Sequence, residues 1–180
     1  MLETRRLRFR EFRVDDFDAV HSYASDPLVT RLMSWGPNSE DETRAFLATT
    51  IAEATEDPRQ NYTFALTLKD SGGVIGSGGV YGAARPGATL IFGYCLHRDY
   101  WGQGLGGEAA AALVDLGFSQ LGARRVVAHV FAGNDASARL LQRLHFVETR
   151  FDELAICARD TWFNVSTFEL DEHTWRQPLQ

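Results

Sequence analysis

Four glycines lie within six residues in the segment YWGQGLGGEA, which spans residues 100–109. They are Gly102, Gly104, Gly106 and Gly107, and an alanine-rich run follows them. The first backbone N–H groups of a helix have no partners within the helix, and the helix dipole places partial positive charge there. Because glycine lets an anion approach such groups closely, the spacing predicts a phosphate-binding loop at the start of a helix.

Two kinds of cofactor could use such a loop. The spacing Gly102-x-Gly104-x-x-Gly107 fits the dinucleotide fingerprint of hydride-transfer enzymes, which also needs an acidic residue about 20 residues further on. The next predicted strand lies in RRVVAHVF, which has no Asp or Glu, and Asp135 comes only in the following helix. This context argues against a nicotinamide dinucleotide and favours the pyrophosphate of another cofactor.

Three polar residues near the loop could handle protons or bind a cofactor. Asn134 is the predicted N-cap of a short helix, and Ser137 lies in the first turn of that helix. His97 ends the strand before the glycine loop, and histidine changes its protonation near neutral pH. A structural histidine is the favoured interpretation of His129, which alternates with apolar residues in the next strand.

The elements that position these residues follow from the hydrophobic pattern. Alternating apolar residues predict strands over 5–12, 61–69, 74–81, 89–97, 125–131, 146–153 and 162–170. Capping residues and periodicity predict helices over about 15–26, 41–56, 105–121 and 135–144. The hairpins predict antiparallel pairing, and the β-α-β unit over 89–131 predicts one parallel pair. We expect a mixed α/β fold with a largely antiparallel sheet in a single domain, 1–180.

The composition restricts the class of protein. The chain has 180 residues, 44% hydrophobic and 23% charged, which is typical of a soluble globular protein. The net charge is −6 and no long Lys/Arg cluster occurs, so we expect no nucleic-acid partner. No apolar run approaches the length of a membrane helix and no export signal is evident, so we expect a cytoplasmic protein without a membrane partner. Cys95 and Cys157 are expected to be reduced thiols, and we expect no metal.

Four spaced motifs lie between Gly93 and Phe146: Gly93-Tyr94-x-Leu96 before Tyr100-Trp101-Gly102-Gln103-Gly104, Trp101-x-x-Gly104-x-Gly106, Asn134-x-x-Ser137, and Leu140-Leu141-x-x-Leu144-x-Phe146. Together they resemble the GNAT acetyltransferase superfamily, and within it the RimJ/RimL-like group that acetylates protein N-terminal amines. The resemblance covers about residues 2–170. Trp101 stands where the superfamily usually has Arg or Gln, and this substitution is common in the RimJ/RimL-like group. His145 stands where a Gly is normal.

The resemblance implies an N-acetyltransferase that binds acetyl-CoA between strands 89–97 and 125–131 and acetylates a primary amine, a protein N-terminus being one candidate. The pantetheine is expected to pair with backbone at 95–97, and the N–H near Leu96 is expected to bind the carbonyl oxygen of the thioester. The residues expected to bind the cofactor are Cys95, Leu96, His97, Gly102, Gln103, Gly104, Leu105, Gly106, Gly107, Asn134, Ser137 and Arg143.

The resemblance also implies catalytic roles. Many superfamily members use a tyrosine to protonate the departing thiolate, but Leu141 occupies that position here. Ser137 matches the serine that has this role in the RimL-like group. Ile91 stands where many relatives carry a glutamate, so the general base stays open. His97 is our candidate for the base, and the alternatives are His129, Glu148, Asp152 and a chain of water molecules.

The acceptor is the least defined part of the prediction. The first two helices and the loop 82–88 are expected to form the wall of the acceptor side, with aromatic and acidic residues that suit an amine: Tyr23, Trp35, Phe46, Asp26 and Glu40. The alternative function is a CoA-binding sensor or partner protein without catalytic activity. The sequence does not decide between a monomer and a homodimer.

Overall fold

The computed structural model describes residues 2–83, 87–158 and 160–177. Its strands are β1 (Leu2–Glu3), β2 (Leu7–Arg10), β3 (Asn61–Leu68), β4 (Val74–Tyr81), β5 (Thr89–Leu96), β6 (Arg125–Phe131), β7 (Val147–Ala158) and β8 (Thr161–Asp171). Its helices are α1 (Phe17–Ala24), α2 (Pro27–Thr30), α3 (Glu40–Glu53), α4 (Leu105–Asp115), α5 (Asp135–Arg143) and α6 (Glu172–Trp175). Within the described residues, no helix is long and apolar enough to cross a membrane.

All eight strands form one sheet, in the order β1-β2-β3-β4-β5-β6-β8-β7. Every neighbouring pair is antiparallel except β5 and β6, which are parallel and joined through α4. The predicted mixed α/β fold, with a largely antiparallel sheet and one parallel β-α-β unit, is confirmed.

The parallel ladder between β5 and β6 is short. It pairs only three residues on each strand, from Thr89 with Arg125 to Ile91 with Val127. Each strand is also held along its other edge, because β4 pairs with β5 as far as Leu96 and β8 pairs with β6 over its whole length. Beyond the third pair the two strands no longer pair with each other, and a cleft opens between them in the middle of the sheet.

The two faces of the sheet carry separate hydrophobic cores. The larger core lies on the face covered by α4 and α5 and includes Phe92 and Leu113, both buried. The smaller core lies on the face covered by α1, α2 and α3 and includes Tyr23, Leu47 and Cys95. Successive residues of β5 therefore point alternately to one core and to the other, as the pleat of a strand requires.

The helix ends lie close to the predicted positions because the predicted capping groups form. Ser39 and Glu42 make the reciprocal capping box at the start of α3. The Asn134 side chain accepts a hydrogen bond from the Ser137 N–H at the start of α5, at 3.2 Å. Gly122 has a φ of 64° and ends the segment predicted as a helix over 105–121, whose last turn widens into a π-helix.

Several elements differ from the sequence prediction, since β1, α2 and α6 were not predicted. The helix expected over about 15–26 ends at Ala24, and Pro27 begins the short α2. Proline fits there because the first turn of a helix does not use its N–H. The loop 82–88 was expected to wall the acceptor side, and its residues 84–86 lie outside the described part of the chain.

A bidentate ion pair fixes the start of α1 to β2. The Arg10 guanidinium donates to both carboxylate oxygens of Asp16 at 2.7 Å, and the Arg13 N–H donates to the same carboxylate at 2.8 Å. Burial acts to raise the pKa of Asp16, but these hydrogen bonds outweigh it and hold the pKa below its usual value. The ionised carboxylate is therefore the form that the folded protein stabilises.

We expect Asp16→Asn to lower the free energy of unfolding by about 2 kcal/mol at pH 7, because the partly buried Arg10 charge loses its buried partner. A depressed carboxyl pKa stabilises the fold above the unfolded pKa, near 3.9 for Asp, and this contribution disappears as pH falls through the folded pKa. Denaturant unfolding of the wild type and the variant should therefore differ at pH 7 and converge at low pH. The control is Glu40→Gln in the exposed Glu40–Arg44 pair, for which we expect a loss of about 0.5 kcal/mol. A difference for Asp16→Asn that persists unchanged at low pH would contradict this account.

Candidate active site

Two adjoining cavities lie at the centre of the molecule. The first, of about 410 Å³, occupies the cleft between β5 and β6, and among the described residues it is lined by Leu32, Met33, Ser34, Trp35, Ser77, Gly78, Tyr81, Ile91, Phe92, Gly93, Tyr94, Cys95, Ala128, His129, Val130, Phe131, Asn134, Ser137, Leu141 and Ile156. The second, of about 700 Å³, lies between α1, α3 and the sheet, and is lined by Val20, Tyr23, Ala24, Ser34, Trp35, Gly36, Pro37, Asn38, Glu42, Phe46, Thr63, Ser77 and Tyr81.

The first cavity passes through the sheet. Tyr94 and Ser137 line it on the side of α4 and α5, whereas Gly93 and Cys95 line it on the side of α1 and α3. The two cavities share Ser34, Trp35, Ser77 and Tyr81. A molecule in the cleft and a molecule in the second cavity can therefore meet on the α1–α3 side of the sheet.

Two paired glycines leave the sheet uncovered by side chains where the two cavities meet. Gly79 on β4 is opposite Gly93 on β5, between the pairs that contain Ser77 and Tyr81. A Cβ added to Gly93 would meet no atom within 4 Å. A Cβ on Gly79 would lie 2.5 Å from the Tyr62 carbonyl oxygen and 2.9 Å from the Tyr81 hydroxyl. The fold therefore requires glycine at position 79, whereas at position 93 glycine keeps a space empty.

The backbone polar groups that face the cleft belong to Tyr94 and Leu96. The His97 N–H donates to the Ile75 carbonyl at 2.8 Å, so the odd residues of β5 direct their polar groups to β4 and the even residues direct theirs to the cleft. The predicted cofactor pairing through the backbone of Cys95 and His97 is therefore corrected, because the sheet uses those groups. The Leu96 N–H, which was expected to bind the carbonyl oxygen of the thioester, is directed to the cleft.

The glycine loop has a different reason for glycine at each position. Gly102 and Gly104 have φ values of 72° and 76°, which side chains rarely adopt. A Cβ on Gly106 would lie 3.1 Å from the Tyr94 ring. At Gly107 a Cβ would meet only the end of the Leu140 side chain, at 4.0 Å. The fold therefore does not require glycine at position 107. The absence of a side chain there leaves the surface at the start of α4 accessible.

The N-terminal strands fix this loop from outside. The Glu108 carboxylate accepts from the Arg6 N–H at 2.7 Å, from Arg6 Nε at 2.8 Å and from the Thr4 hydroxyl. Arg6 Nη1 also donates to the Gln103 carbonyl at 2.9 Å. Burial acts to raise the pKa of Glu108, and the hydrogen bonds from Thr4 and Arg6 lower it below its usual value. Arg6 and ionised Glu108 therefore brace both sides of the loop.

The residues around the loop are also tied to the end of β5. Trp101 Nε1 donates to the Leu96 carbonyl at 2.9 Å, and the Gln103 side chain donates to the Asp99 carbonyl at 2.8 Å. His97 Nδ1 accepts from the Asp99 N–H at 3.2 Å, so this side chain caps the turn that precedes the loop. His97 lines neither cavity, and its role as the base stays a prediction.

On the other side of the cleft, Ser137 and Asn134 lie at the start of α5 and line the first cavity. Tyr94 approaches them from β5. Burial raises the pKa of Tyr94, and the nearby Ser137 hydroxyl and the charge of Arg143 act in the opposite direction. Asn134 and Ser137 thus line the same part of the cleft, and Arg143, further along α5, is near enough to act on Tyr94 by its charge.

Burial in the cavities keeps their thiol and phenol groups neutral. Burial raises the pKa of Cys95 to about 12, so this thiol is a poor nucleophile although it lines the first cavity. Burial also raises the pKa of Tyr81 and, more strongly, of Tyr23. Ser77 is near enough to affect Tyr23, but among the described residues none forms a hydrogen bond of good geometry with its hydroxyl.

Residues 6–147 match the sequence profile of the acetyltransferase (GNAT) domain. The chain belongs to the GNAT acetyltransferase family. It is 32% identical over 145 residues to the uncharacterized N-acetyltransferase p20 of Bacillus licheniformis, a match that covers 81% of each chain. As a GNAT acetyltransferase it transfers an acetyl group to an amine.

Solved structures share the fold of this GNAT acetyltransferase. Spermidine N-acetyltransferase from Vibrio cholerae, in complex with CoA and spermine, matches with a TM-score of 0.81 at 15% identity, over 95% of this chain and 98% of the other. The ribosomal L7/L12 α-N-protein acetyltransferase RimL, in complex with CoA, matches with a TM-score of 0.81 at 18% identity, over 95% and 97%. At these identities the likeness concerns the fold, and both of those proteins bind CoA.

In this acetyltransferase the predicted acidic groove is only partly formed. Asp26 caps α2 and lies 3.3 Å from Arg98, and Glu40 pairs with Arg44, so neither lines a cavity. Glu42 was not predicted on the acceptor side. It is the one Asp or Glu among the described residues that line the two cavities. The signal that could have found Glu42 was the capping box itself, which directs this carboxylate back toward the segment before α3. Tyr23, Trp35 and Phe46 line the second cavity as predicted.

We expect Glu108→Ala to weaken CoA binding about tenfold, which corresponds to about 1.4 kcal/mol. The variant releases Arg6, which then no longer holds the Gln103 carbonyl and the loop in place. Titration calorimetry with CoA measures the change. The control is Glu3→Ala, which removes the exposed ion pairs of Glu3 with Arg8 and Lys69 on the neighbouring strand and should leave CoA affinity unchanged. Equal affinities for wild type and Glu108→Ala would show that the brace does not position the loop.

Proposed function

We propose that this acetyltransferase uses acetyl-CoA to acetylate the α-amine of a protein N-terminus, as the RimJ/RimL-like enzymes do. The observation that carries the proposal is the junction of the two cavities at Ser77, Tyr81 and Trp35. The donor would reach this junction through the cleft, and the amine would reach it from the second cavity.

The cleft and the glycine loop fit the coenzyme. The cleft-facing edge of β5 offers the N–H and C=O of Tyr94 and the N–H of Leu96 to the amides of a pantetheine arm, which would add to β5 like a short strand. The N–H groups of residues 102–107 would hold the pyrophosphate at the positive end of α4. Asn134 and Arg143 lie beside this path.

The rest of the coenzyme site follows from the chemistry of the thioester. Acetyl-CoA, when bound, supplies an activated acetyl carbon and a thiolate leaving group. The Leu96 N–H is directed to the cleft, where it would donate to the carbonyl oxygen as negative charge develops. The Ser137 hydroxyl, at the start of α5, would protonate the departing sulfur.

Direct attack by the amine is favoured over an acetylated enzyme. Cys95 is the one cysteine among the described residues that line the cleft, and its buried thiol stays protonated at neutral pH. A protonated thiol is not a competent nucleophile. The amine in the second cavity, by contrast, has open access to the junction above Gly93.

The second cavity suits an acceptor with one positive charge and an apolar body. Trp35, Tyr23 and Phe46 form its apolar walls. Glu42 contributes a single carboxylate whose pKa is lowered by hydrogen bonds from Ser39, so it remains ionised. A polyamine carries several charges and would require several carboxylates, because unpaired charges are costly to bury. A peptide N-terminus carries one charge and presents side chains to the aromatic walls.

The proposal is tested with acetyl-CoA and three acceptors, while free thiol is measured. The acceptors are a lysine-free peptide with a free N-terminus, the same peptide with a blocked N-terminus, and spermidine. We expect thiol release and a mass gain of one acetyl group with the free peptide, no transfer to the blocked peptide, and much slower transfer to spermidine. Efficient transfer to spermidine and none to peptides would refute the proposed acceptor. CoA binding without transfer to any amine would instead indicate a binding protein.

We expect Ser137→Ala to lower kcat about 100-fold, the range expected for loss of a general acid, with little change in CoA affinity. The effect should nearly vanish with an acetyl thioester whose thiol is strongly acidic, because such a leaving group needs no proton. Steady-state kinetics and calorimetry measure the two quantities. Ser119→Ala, outside both cavities, is the matched control. Equal losses of kcat and CoA affinity would assign Ser137 a packing role.

A further inference from the structure

A histidine on β6 lies in the wall of the cleft, on the side from which the acceptor would arrive. Ile91 and Val127 are paired in the parallel ladder, so they point to the same face of the sheet, and the residues two positions later, Gly93 and His129, point to that face as well. The first cavity is lined by both. His129 thus lies across the cleft from the open floor above Gly93. We propose that His129 is the general base that accepts the proton of the attacking amine.

The imidazole is held in an orientation that suits this role. Its Nδ1 lies 3.3 Å from the Thr167 hydroxyl on the neighbouring strand β8. When Nδ1–H donates to the Thr167 oxygen, Nε2 carries the lone pair that can take a proton. The same hydrogen bond is kept after Nε2 is protonated. Thr167 is therefore a positioning residue that is compatible with both charge states of the histidine.

Other candidate bases are placed elsewhere or are chemically unsuited. The described residues that line the first cavity include His129 and no Asp, Glu, Lys or Arg. Cys95 and Tyr94 line it too, but burial raises the pKa of both, which suits neither to accept a proton at neutral pH. Glu148, Asp152 and His97 do not line it.

The charged groups near His129 are paired with each other. Arg150 and Asp152 on β7 share the face of His129 and form an ion pair. Glu169 on β8 shares that face and pairs with Arg125 at 2.9 Å. On the opposite wall of the cavity, Ser34 and Trp35 carry no charge. No described carboxylate in the cavity therefore competes with His129 for the proton.

The acid and the base then lie on opposite sides of the sheet. Ser137 is on the α4–α5 side, where the sulfur would lie, and His129 is on the α1–α3 side, where the amine would lie. As the nitrogen–carbon bond forms and the carbon–sulfur bond breaks, the amine proton passes to His129 Nε2 and the sulfur takes a proton from Ser137. His129 is exposed, so it returns its proton to water, and Ser137 is reprotonated from water. This inference rests on the acetyl transfer proposed above.

The test uses His129→Gln, His129→Ala and the free-N-terminus peptide. We expect kcat to fall about 100-fold or more in both variants, with CoA affinity unchanged, because only proton transfer is lost. Added imidazole should restore part of the activity of His129→Ala. His173→Gln, an exposed histidine on α6, is the control and should behave as the wild type.

Substitutions of Thr167 test whether the orientation of the His129 imidazole, rather than local packing, supports catalysis. Thr167→Val removes the partner of Nδ1 and should lower kcat less than His129→Gln, whereas Thr167→Ser should restore most of it.

If the wild type is active and His129→Gln remains within threefold of it, or if imidazole does not rescue His129→Ala, the inference is overturned. Loss of activity in His97→Gln with none in His129→Gln would likewise overturn it. A wild type that acetylates no amine would refute the proposed function itself, which is a distinct outcome.

Discussion

The site depends on the point at which β5 and β6 stop pairing. Each strand stays paired along its outer edge, but the two no longer pair with each other beyond Ile91 and Val127. A strand edge inside a protein exposes polar groups that need partners. Trp101 provides a partner for the Leu96 carbonyl, and the remaining groups of Tyr94 and Leu96 face the cleft. The gap therefore defines where an extended ligand can add to the sheet, and it joins the face that carries Ser137 to the face that carries His129.

Local patterns in the sequence were sufficient to predict most of the elements. The capping box of Ser39 and Glu42 and the cap of Asn134 depend on residues three positions apart, so sequence spacing predicts them well. The alternation in β5 and β6 likewise predicted two strands of the correct extent. The four glycines could not be distinguished by spacing, because the requirement at Gly106 comes from Tyr94 on another element.

The details of the site depended on contacts that are remote in sequence. A strand pattern does not tell which residues send their N–H groups to which neighbour. The cofactor pairing was therefore expected over 95–97, although the sheet uses the backbone groups of Cys95 and His97 and leaves those of Tyr94 and Leu96 directed to the cleft. The acidic residues near the acceptor were also ambiguous, since Asp26 and Glu40 are engaged by Arg98 and Arg44 while Glu42 lines the cavity. The environment of His129 arises from three strands that are brought together only by the fold.

The brace between Glu108 and the N-terminal strands has a further consequence. Thr4 and Arg6 contact Glu108 and Gln103 across about a hundred residues of chain, so the shape of the loop is coupled to the docking of the first strands. When two events such as ligand binding and strand docking are coupled, each favours the other by the same free energy. If docking of β1 and β2 strengthens coenzyme binding, then coenzyme binding must strengthen their docking by the same amount. The occupied protein would therefore open at its N-terminal strands less often than the empty one, and hydrogen exchange of these amides would report coenzyme occupancy from the outermost edge of the sheet.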